Sequence, residues 1–208
     1  MRANDIGINT KDHMGRKKLD QERTAQILEA FGKCVVRNGL DNSGISAVAR
    51  EAGLSRTLVH HFVGTRDNLI LMLVEDVLRR HEEEIAEFWR WIDKGVGVED
   101  ILAEELERPV KESATEKALY SILNSSRYQY PEIDNVYQTI MEGWAAAIGK
   151  ALYRSGHGLN ESDCRGAAIT LVCLFTGWEM LWDVPEFTSG RKELKKQFKR
   201  VVQSLPVR

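Results

Sequence analysis

Cysteine and proline are scarce in this chain of 208 residues, which contains three cysteines and four prolines. The cysteines are odd in number and lack paired spacing, which argues against a disulfide framework and against a zinc site. Cys34, Cys164 and Cys173 all lie in apolar helical stretches. We therefore expect reduced, buried core cysteines in a cytoplasmic protein, with a redox sensor as the alternative.

Long apolar runs are also missing. The segment 1–20 has no apolar stretch of the kind that a secretory signal requires. The segment 166–182 is apolar almost all round, but polar residues such as Glu179 interrupt it, and a membrane span needs about 20 apolar residues. We interpret this segment as a helix buried on several faces at an interface, with membrane insertion as the weaker alternative.

Motifs for catalysis, cofactors and metals are missing as well. The sequence contains no Gly-x-Ser-x-Gly elbow, no phosphate-binding glycine loop and no His-Glu-x-x-His helix. His60 and His61 are adjacent and project in different directions from a helix, so they are poorly placed to share a metal. His81, three residues before Glu84 on a charged helix, is interpreted as solvated. We expect no enzymatic activity, no cofactor and no metal site.

Apolar periodicity predicts an all-α protein without strands. A first helix is expected from about Asp20 to Asn38, and a long one from Arg66 to about Lys94. At 1.5 Å per residue the long helix would span roughly 43 Å, enough to join an N-terminal head to a separate body. Further helices are expected over 99–107, 112–125, 132–154, from 160 or 162 to 182, and over 191–204. The last helix has a basic face, 192–200, which we interpret as solvated.

The charge is distributed unevenly along the chain. Residues 1–66 carry 11 basic and 7 acidic side chains, whereas the remainder carries 18 and 24. A positive head on a negative body would orient the protein toward DNA. We expect a disordered tail over 1–18. Its basic cluster, Arg16 to Lys18, either reaches the minor groove or phosphates or is simply solvated.

The most informative segment is 45–69, which reads as two short helices joined by a tight turn. Buried positions such as Val48 and Val59 give each helix one apolar side. Gly53 can adopt the left-handed conformation that ends a helix, and Ser55 can cap the next one. This order is typical of a helix-turn-helix, whose second helix enters the DNA major groove. A generic helical corner has the same apolar spacing and is the alternative.

The same segment resembles the N-terminal signature of the TetR family of one-component bacterial transcriptional regulators. The matching residues follow without a gap: Val48-Ala49, Arg50-Glu51, Ala52-Gly53-Leu54-Ser55, Val59-His60, Phe62-Val63, Thr65-Arg66, Asp67-Asn68 and Leu69. The resemblance covers residues 20 to about 75. It implies a three-helix DNA-binding domain over 19–66 and a larger helical domain for effector binding and dimerisation over 67–208.

The sequence departs from the family pattern at the start of the motif. Gly44 replaces the threonine that usually caps the first motif helix, so the phosphate contact of that threonine passes to Ser43 or Ser46. His60 replaces a tyrosine and Arg66 a lysine, and both replacements keep a hydrogen-bond donor. His60 adds a possible pH dependence, since an unperturbed imidazole titrates near pH ~6.5.

Roles for the motif residues follow from their positions. Side chains at the N-terminal end of a recognition helix reach base edges, so Arg56, Thr57 and His60 are predicted to read sequence. His61 and Arg66 are better placed for phosphates. The complete predicted DNA-binding set is Ser43, Ser46, Ser55, Arg56, Thr57, His60, His61 and Arg66.

The resemblance further implies a homodimer formed by the last two long helices, a palindromic double-stranded DNA operator, and repression relieved by a small molecule. Aromatic residues of the body favour a hydrophobic or aromatic effector, although such residues also form ordinary cores. The predicted ligand-binding residues are Trp89, Tyr120, Asn124, Met141, Trp144 and Trp178. A helical scaffold that binds other proteins is the rival hypothesis, and the positive head argues against it.

Overall fold

The computed structural model describes residues 10–107, 115, 117–118, 131–181 and 184–207, with backbone only at 10–18, 180, 187 and 188. The fold is all-α, as predicted. The helices are α1 (Thr10–Asn38), α2 (Ile45–Ala52), α3 (Arg56–Val63), α4 (Arg66–Asp93), α5 (Val98–Glu105), α6 (Pro131–Arg154), α7 (Glu161–Leu181), α8 (Pro185–Ser189) and α9 (Arg191–Gln203). Within the described residues, β-structure is limited to an isolated bridge between His157 and Val207.

Helix α1 begins earlier than the sequence analysis predicted. It starts at Thr10 rather than near Asp20, so the segment 10–18 is helical and the expected disordered tail does not extend to residue 18. This segment contains lysine, arginine and methionine, which favour helices, and no proline. The basic cluster 16–18 therefore belongs to a helix.

The chain forms two compact units, and α4 contributes to both. One unit contains the residues up to Val77, and the other begins at Leu78; a second division follows Ile133 in α6. The boundary expected from the sequence, after residue 66, coincides instead with the start of α4.

The first unit is built around an apolar core at the junction of its N-terminal helices. Phe31 of α1, Val48 of α2, Val59 of α3 and Leu69 of α4 are all fully buried. Helix α2 packs on α1 and α3, and α3 also packs on α1. The core thus fixes the orientation of α3 within this unit.

The second unit has its own core, to which α4 to α7 and α9 contribute. Phe88, Ile148, Leu171 and Phe198 lie fully or almost fully buried in it. Helix α9 packs on α5 and α7 through its apolar side. No helix in the described part of the chain has the length and apolarity that a membrane crossing requires.

The basic face of α9 is not simply solvated, contrary to the sequence-based interpretation. Lys195 pairs with Glu107, and Lys199 lies 3.4 Å from Asp100 on α5. The pKa of the Glu107 carboxyl is lowered, chiefly by its hydrogen bond from Lys195. The acidic partners of these lysines lie on α5 or directly after it. The sequence of α9 alone does not identify these partners.

Two of the three cysteines occupy the predicted environment. Cys34 and Cys164 are buried, whereas Cys173 is exposed. The expectation of a buried Cys173 was wrong because α7 is apolar nearly all round, and its periodicity does not identify which side faces the core of this unit. Ile169, on the turn before Cys173, is likewise about half exposed, at 47%.

Candidate nucleic-acid interface

The turn between α2 and α3 has the geometry that its sequence predicted. Gly53 adopts φ +66° and ψ +29°, and its N–H donates to the carbonyls of Ala49 and Arg50. The Ser55 hydroxyl accepts a hydrogen bond of 3.1 Å from the backbone N–H of Leu58. Glycine removes the steric penalty of the left-handed conformation, and serine satisfies one of the open N–H groups of α3. Local sequence therefore sets the direction in which α3 leaves the turn.

Helix α3 separates a buried face from an exposed one. Val59 and Val63 are buried, four residues apart, and attach the helix to the core. Arg56, Thr57, His60 and His61 are all exposed. Because residues at i, i+1, i+4 and i+5 share one side of a helix, these four side chains form a single polar face. We call this set the recognition face.

The recognition face carries hydrogen-bonding groups along its whole length. Arg56 offers a planar guanidinium that matches the two acceptors of a guanine in the major groove. Thr57 contributes a hydroxyl and a methyl group, and the imidazoles of His60 and His61 contribute ring nitrogens. Their exposure leaves these groups accessible to a duplex.

The two serines near the start of α2 differ in accessibility. Ser46 is exposed, but Ser43 is completely buried and its hydroxyl donates a 2.7 Å hydrogen bond to the carbonyl of Gly39. Ser43 therefore closes the α1–α2 loop and is not available to a phosphate, which corrects its predicted role. The N-cap of α2 is Gly44, without a side-chain hydrogen bond, as its sequence implied.

Arg66 is also engaged within the protein. Its Nη2 donates to the carbonyl of Leu40 at 2.9 Å and lies 3.3 Å from Oδ1 of Asp41. The guanidinium thus connects the first turn of α4 to the α1–α2 loop, 26 residues earlier in the chain. Sequence reasoning assigned Arg66 to a phosphate because it follows the recognition helix, whereas its contacts give it a structural role.

Sequence reasoning missed Arg50, which the structure places beside the motif. Arg50 is exposed on α2, four residues after Ser46, so the two side chains share one face of that helix. In a helix-turn-helix the first motif helix crosses the DNA backbone. The i, i+4 spacing from Ser46 was the available signal, since a serine and an arginine so placed both suit phosphates.

Comparison with known proteins agrees with this geometry. No family model matches the chain. The HTH-type transcriptional regulator HbdR of Aromatoleum sp. (strain CIB) is 34% identical over 68 residues, which cover 33% of this chain and 30% of HbdR. The chain thus matches only about a third of the length of this curated relative.

Solved structures extend the similarity to nearly the whole fold. The TetR-family regulator of Cytophaga hutchinsonii superposes with a TM-score of 0.69 at 8% identity, covering 91% of this chain and 97% of its own. The SmeT–triclosan complex gives 0.70 at 16% identity, covering 90% and 92%. The chain has the fold of TetR-family regulators. The fold expected from the resemblance of the segment 48–69 is thereby confirmed.

The aromatic residues of the second unit occupy two environments. Trp178 belongs to the core of the second unit, and the half-buried Trp144 packs against that core with its ring 5.8 Å from that of Phe88 in an edge-to-face arrangement. Trp89 packs against the same core, but its ring also faces cations, with Lys150 Nζ at 5.7 Å from the centroid. Trp89 is thus half-buried at the rim of the core.

Of the other predicted ligand-binding residues, only Met141 lies within the described residues. The Met141 sulfur accepts a 3.8 Å hydrogen bond from the hydroxyl of Thr176 on α7. Tyr120 and Asn124 lie outside the described residues. A groove of about 590 Å³ between α7 and α9 contains none of the predicted residues and is lined by Asp163, Gly166, Ala167, Thr170, Val201, Ser204, Leu205 and Pro206.

Proposed function

We propose that the protein is a ligand-responsive, DNA-binding transcriptional regulator. In this proposal a homodimer represses transcription by binding a palindromic operator, and a small hydrophobic or aromatic effector releases it. The observation that carries the proposal is the recognition face, four polar side chains exposed together on a helix whose opposite side is anchored in the core.

The positions of the polar side chains on α2 and α3 support DNA binding. Arg56 and Thr57 lie at the N-terminal end of the helix, the part that reaches base edges in helix-turn-helix complexes, and His60 lies one turn later on the same face. We assign His61, together with Ser46 and Arg50 on α2, to phosphate contacts. Ser55 retains a hydroxyl proton for a further contact while it caps the helix.

A homodimer fits both the chemistry of recognition and the surface of the second unit. One short helix reads too few base pairs to be selective, so a second copy would supply the other half-site. Helix α7 exposes Ile169 and Cys173, and α9 adjoins it. We assign these two helices to the dimer contact, as the family resemblance implies.

The aromatic core of the second unit supports the effector part of the proposal. Trp144 is half-buried, and Met141 and Thr176 beside it are also only partly covered. Flat apolar walls with a few polar atoms are typical of small-molecule sites. SmeT, which shares the fold, was solved as a complex with triclosan.

Selection from random double-stranded DNA by the purified protein tests the proposal. We expect a palindromic consensus with half-site centres about one helical turn or more apart, and an affinity that falls steeply with salt. A helical protein-binding scaffold, the rival function, would enrich no sequence at any salt concentration.

Substitution of Arg56 then tests the recognition face. We expect Arg56→Ala to weaken binding to the selected operator by roughly 1–3 kcal/mol and to relax selectivity at one base position. Lys33→Ala is the matched control, because Lys33 is an equally charged, exposed residue of the same unit, on α1 and outside the motif. If the two variants weaken operator binding equally, Arg56 contributes only its positive charge, which would contradict its assignment to base readout.

A further inference from the structure

His81 is buried in the second unit, although its sequence context predicted a solvated side chain. The residue is only 8% exposed, and its ring lies 5.8 Å from that of Trp144 on α6. A methyl group built on Gly143 would come within 2.7 Å of His81 Nε2. The imidazole thus occupies space on α6 that only a glycine leaves open, and the periodicity of the charged α4 sequence did not reveal this contact.

The Nδ1 atom of His81 has no hydrogen-bond partner among the described residues. Buried polar atoms nearly always have a partner, and an orphaned one requires an explanation. Burial also lowers the pKa of His81, with Glu82 opposing the shift, so the ring is neutral near pH 7. A neutral imidazole nitrogen can take one hydrogen bond as donor or acceptor, depending on its tautomer.

A second underused polar group faces the same side of α6. The hydroxyl of Thr176 has the Met141 sulfur as its acceptor at 3.8 Å, and a thioether is a weak acceptor. Met141 and Trp144 are three residues apart and therefore neighbours on one face of α6. Through these two residues, His81 of α4 and Thr176 of α7 converge on a single apolar strip.

We propose that this convergence is a ligand site in which His81 Nδ1 anchors the hydroxyl of an uncharged aromatic molecule lying against Trp144 and Met141. The inference rests on the proposed effector response and names the chemical class of the effector. The strip offers a ring face and a polarizable sulfur to a flat apolar ligand. The two polar groups on the strip, the His81 imidazole and the Thr176 hydroxyl, are neutral, so neither offers an anionic ligand a charge in exchange for its hydration.

Calorimetric titration of three matched probes tests the site on the full-length protein. 1-Naphthol carries the hydroxyl, 1-methylnaphthalene replaces it by a methyl group, and 1-naphthoate replaces it by an anion. We expect 1-naphthol to bind at least about fivefold more tightly than either analogue, as one net hydrogen bond to a buried neutral group predicts. Wild-type protein that binds the three probes equally, or binds none of them, would overturn the proposal.

Variants of His81 test whether its ring nitrogen causes the tighter binding of 1-naphthol. His81→Phe keeps a flat ring without the nitrogen, so the preference for 1-naphthol should disappear. His81→Asn offers an amide near the position of Nδ1 and should keep part of it. His157→Phe is the matched control, because His157 also has an unpartnered buried Nδ1 but lies between α6 and α7 at the β-bridge. If His81→Phe retains the full preference, or His157→Phe loses it, the anchor is not His81.

The experiments distinguish a loss of folding from a loss of ligand binding, and a failure of the ligand site from a failure of the proposed function. His81→Phe removes an orphaned polar atom but places a larger ring against Gly143, so we expect its thermal midpoint to stay within about 4 °C of the wild type. The titrations contain no DNA. A protein that binds 1-naphthol selectively but enriches no operator would support the site and refute the regulator, while the reverse result would refute the site alone.

Discussion

Replacing Arg66 by methionine separates a structural role of this side chain from a phosphate contact. The guanidinium donates to the Leu40 carbonyl at 2.9 Å and pairs with Asp41 at 3.3 Å. Methionine keeps much of the aliphatic length and removes the charge and all donors. The substitution therefore tests the link between the first turn of α4 and the α1–α2 loop.

The expected loss of stability follows from these contacts. A hydrogen bond from a charged donor contributes about 1.5–3 kcal/mol. The Leu40 carbonyl keeps a second bond of 3.0 Å from the Ser43 N–H, so it is not left without a partner. The Asp41 side chain is 84% exposed, and such a surface ion pair adds about 0–1 kcal/mol. Since the Arg66 side chain is itself 30% exposed, we expect Arg66→Met to lower the free energy of unfolding by about 1–2 kcal/mol.

Urea denaturation measures that loss, and operator binding across salt concentrations measures the alternative. A phosphate contact at Arg66 would reduce the salt slope by about one, whereas a structural role leaves the slope unchanged. Arg56→Met is the control, because its exposed side chain should change stability by less than about 0.5 kcal/mol. A stable Arg66→Met protein with a reduced salt slope would refute the structural assignment.

Two further predictions concern the turn and the buried histidine. Gly53→Ala places a Cβ at φ +66° with no neighbour within 4 Å, so we expect backbone strain alone to lower the free energy of unfolding by about 1–2 kcal/mol. Gly53→Asn should lower it by less. Thermal melting measures both variants, and equal stability of all three proteins would contradict the strain argument. As the pH falls below the ordinary pKa of 6.5, unfolded His81 takes up a proton that the folded form, with its lowered pKa, does not. The wild type should therefore lose more stability than His81→Phe between about pH 7.5 and 5.5 in urea titrations, and parallel losses would refute the burial effect.

The helix-turn-helix was predictable because its signals are local. Gly53 and Ser55 act on backbone groups within a few residues, and Thr65 accepts its hydrogen bond from Asn68, three residues later. Val59 and Val63 needed only helical periodicity to be placed in the core. For the same reason, the expected limits of α4 and α6 differ from the observed ones by only one residue.

The sequence was least informative where a side chain meets a partner that is distant in sequence. Arg66 finds its acceptor in the loop before α2, and His81 is covered by α6, some sixty residues later. Ser43 illustrates a different difficulty, since its partner, Gly39, is close but the burial of its hydroxyl comes from the fold of the loop. A polar side chain can face either solvent or a partner within the protein, and its place in the sequence alone does not show which of the two it does.

The exposure of the recognition face also bears on how such a protein can change over time. Val59 and Val63 hold α3 in place, so substitutions at Arg56, Thr57 or His60 leave the core packing intact. Exposed positions of this kind usually alter stability by no more than about 0.5 kcal/mol. Under the proposed function, the surface of α3 can therefore acquire a new DNA specificity in single steps, each of which leaves a folded protein, while the buried residues beneath it stay unchanged.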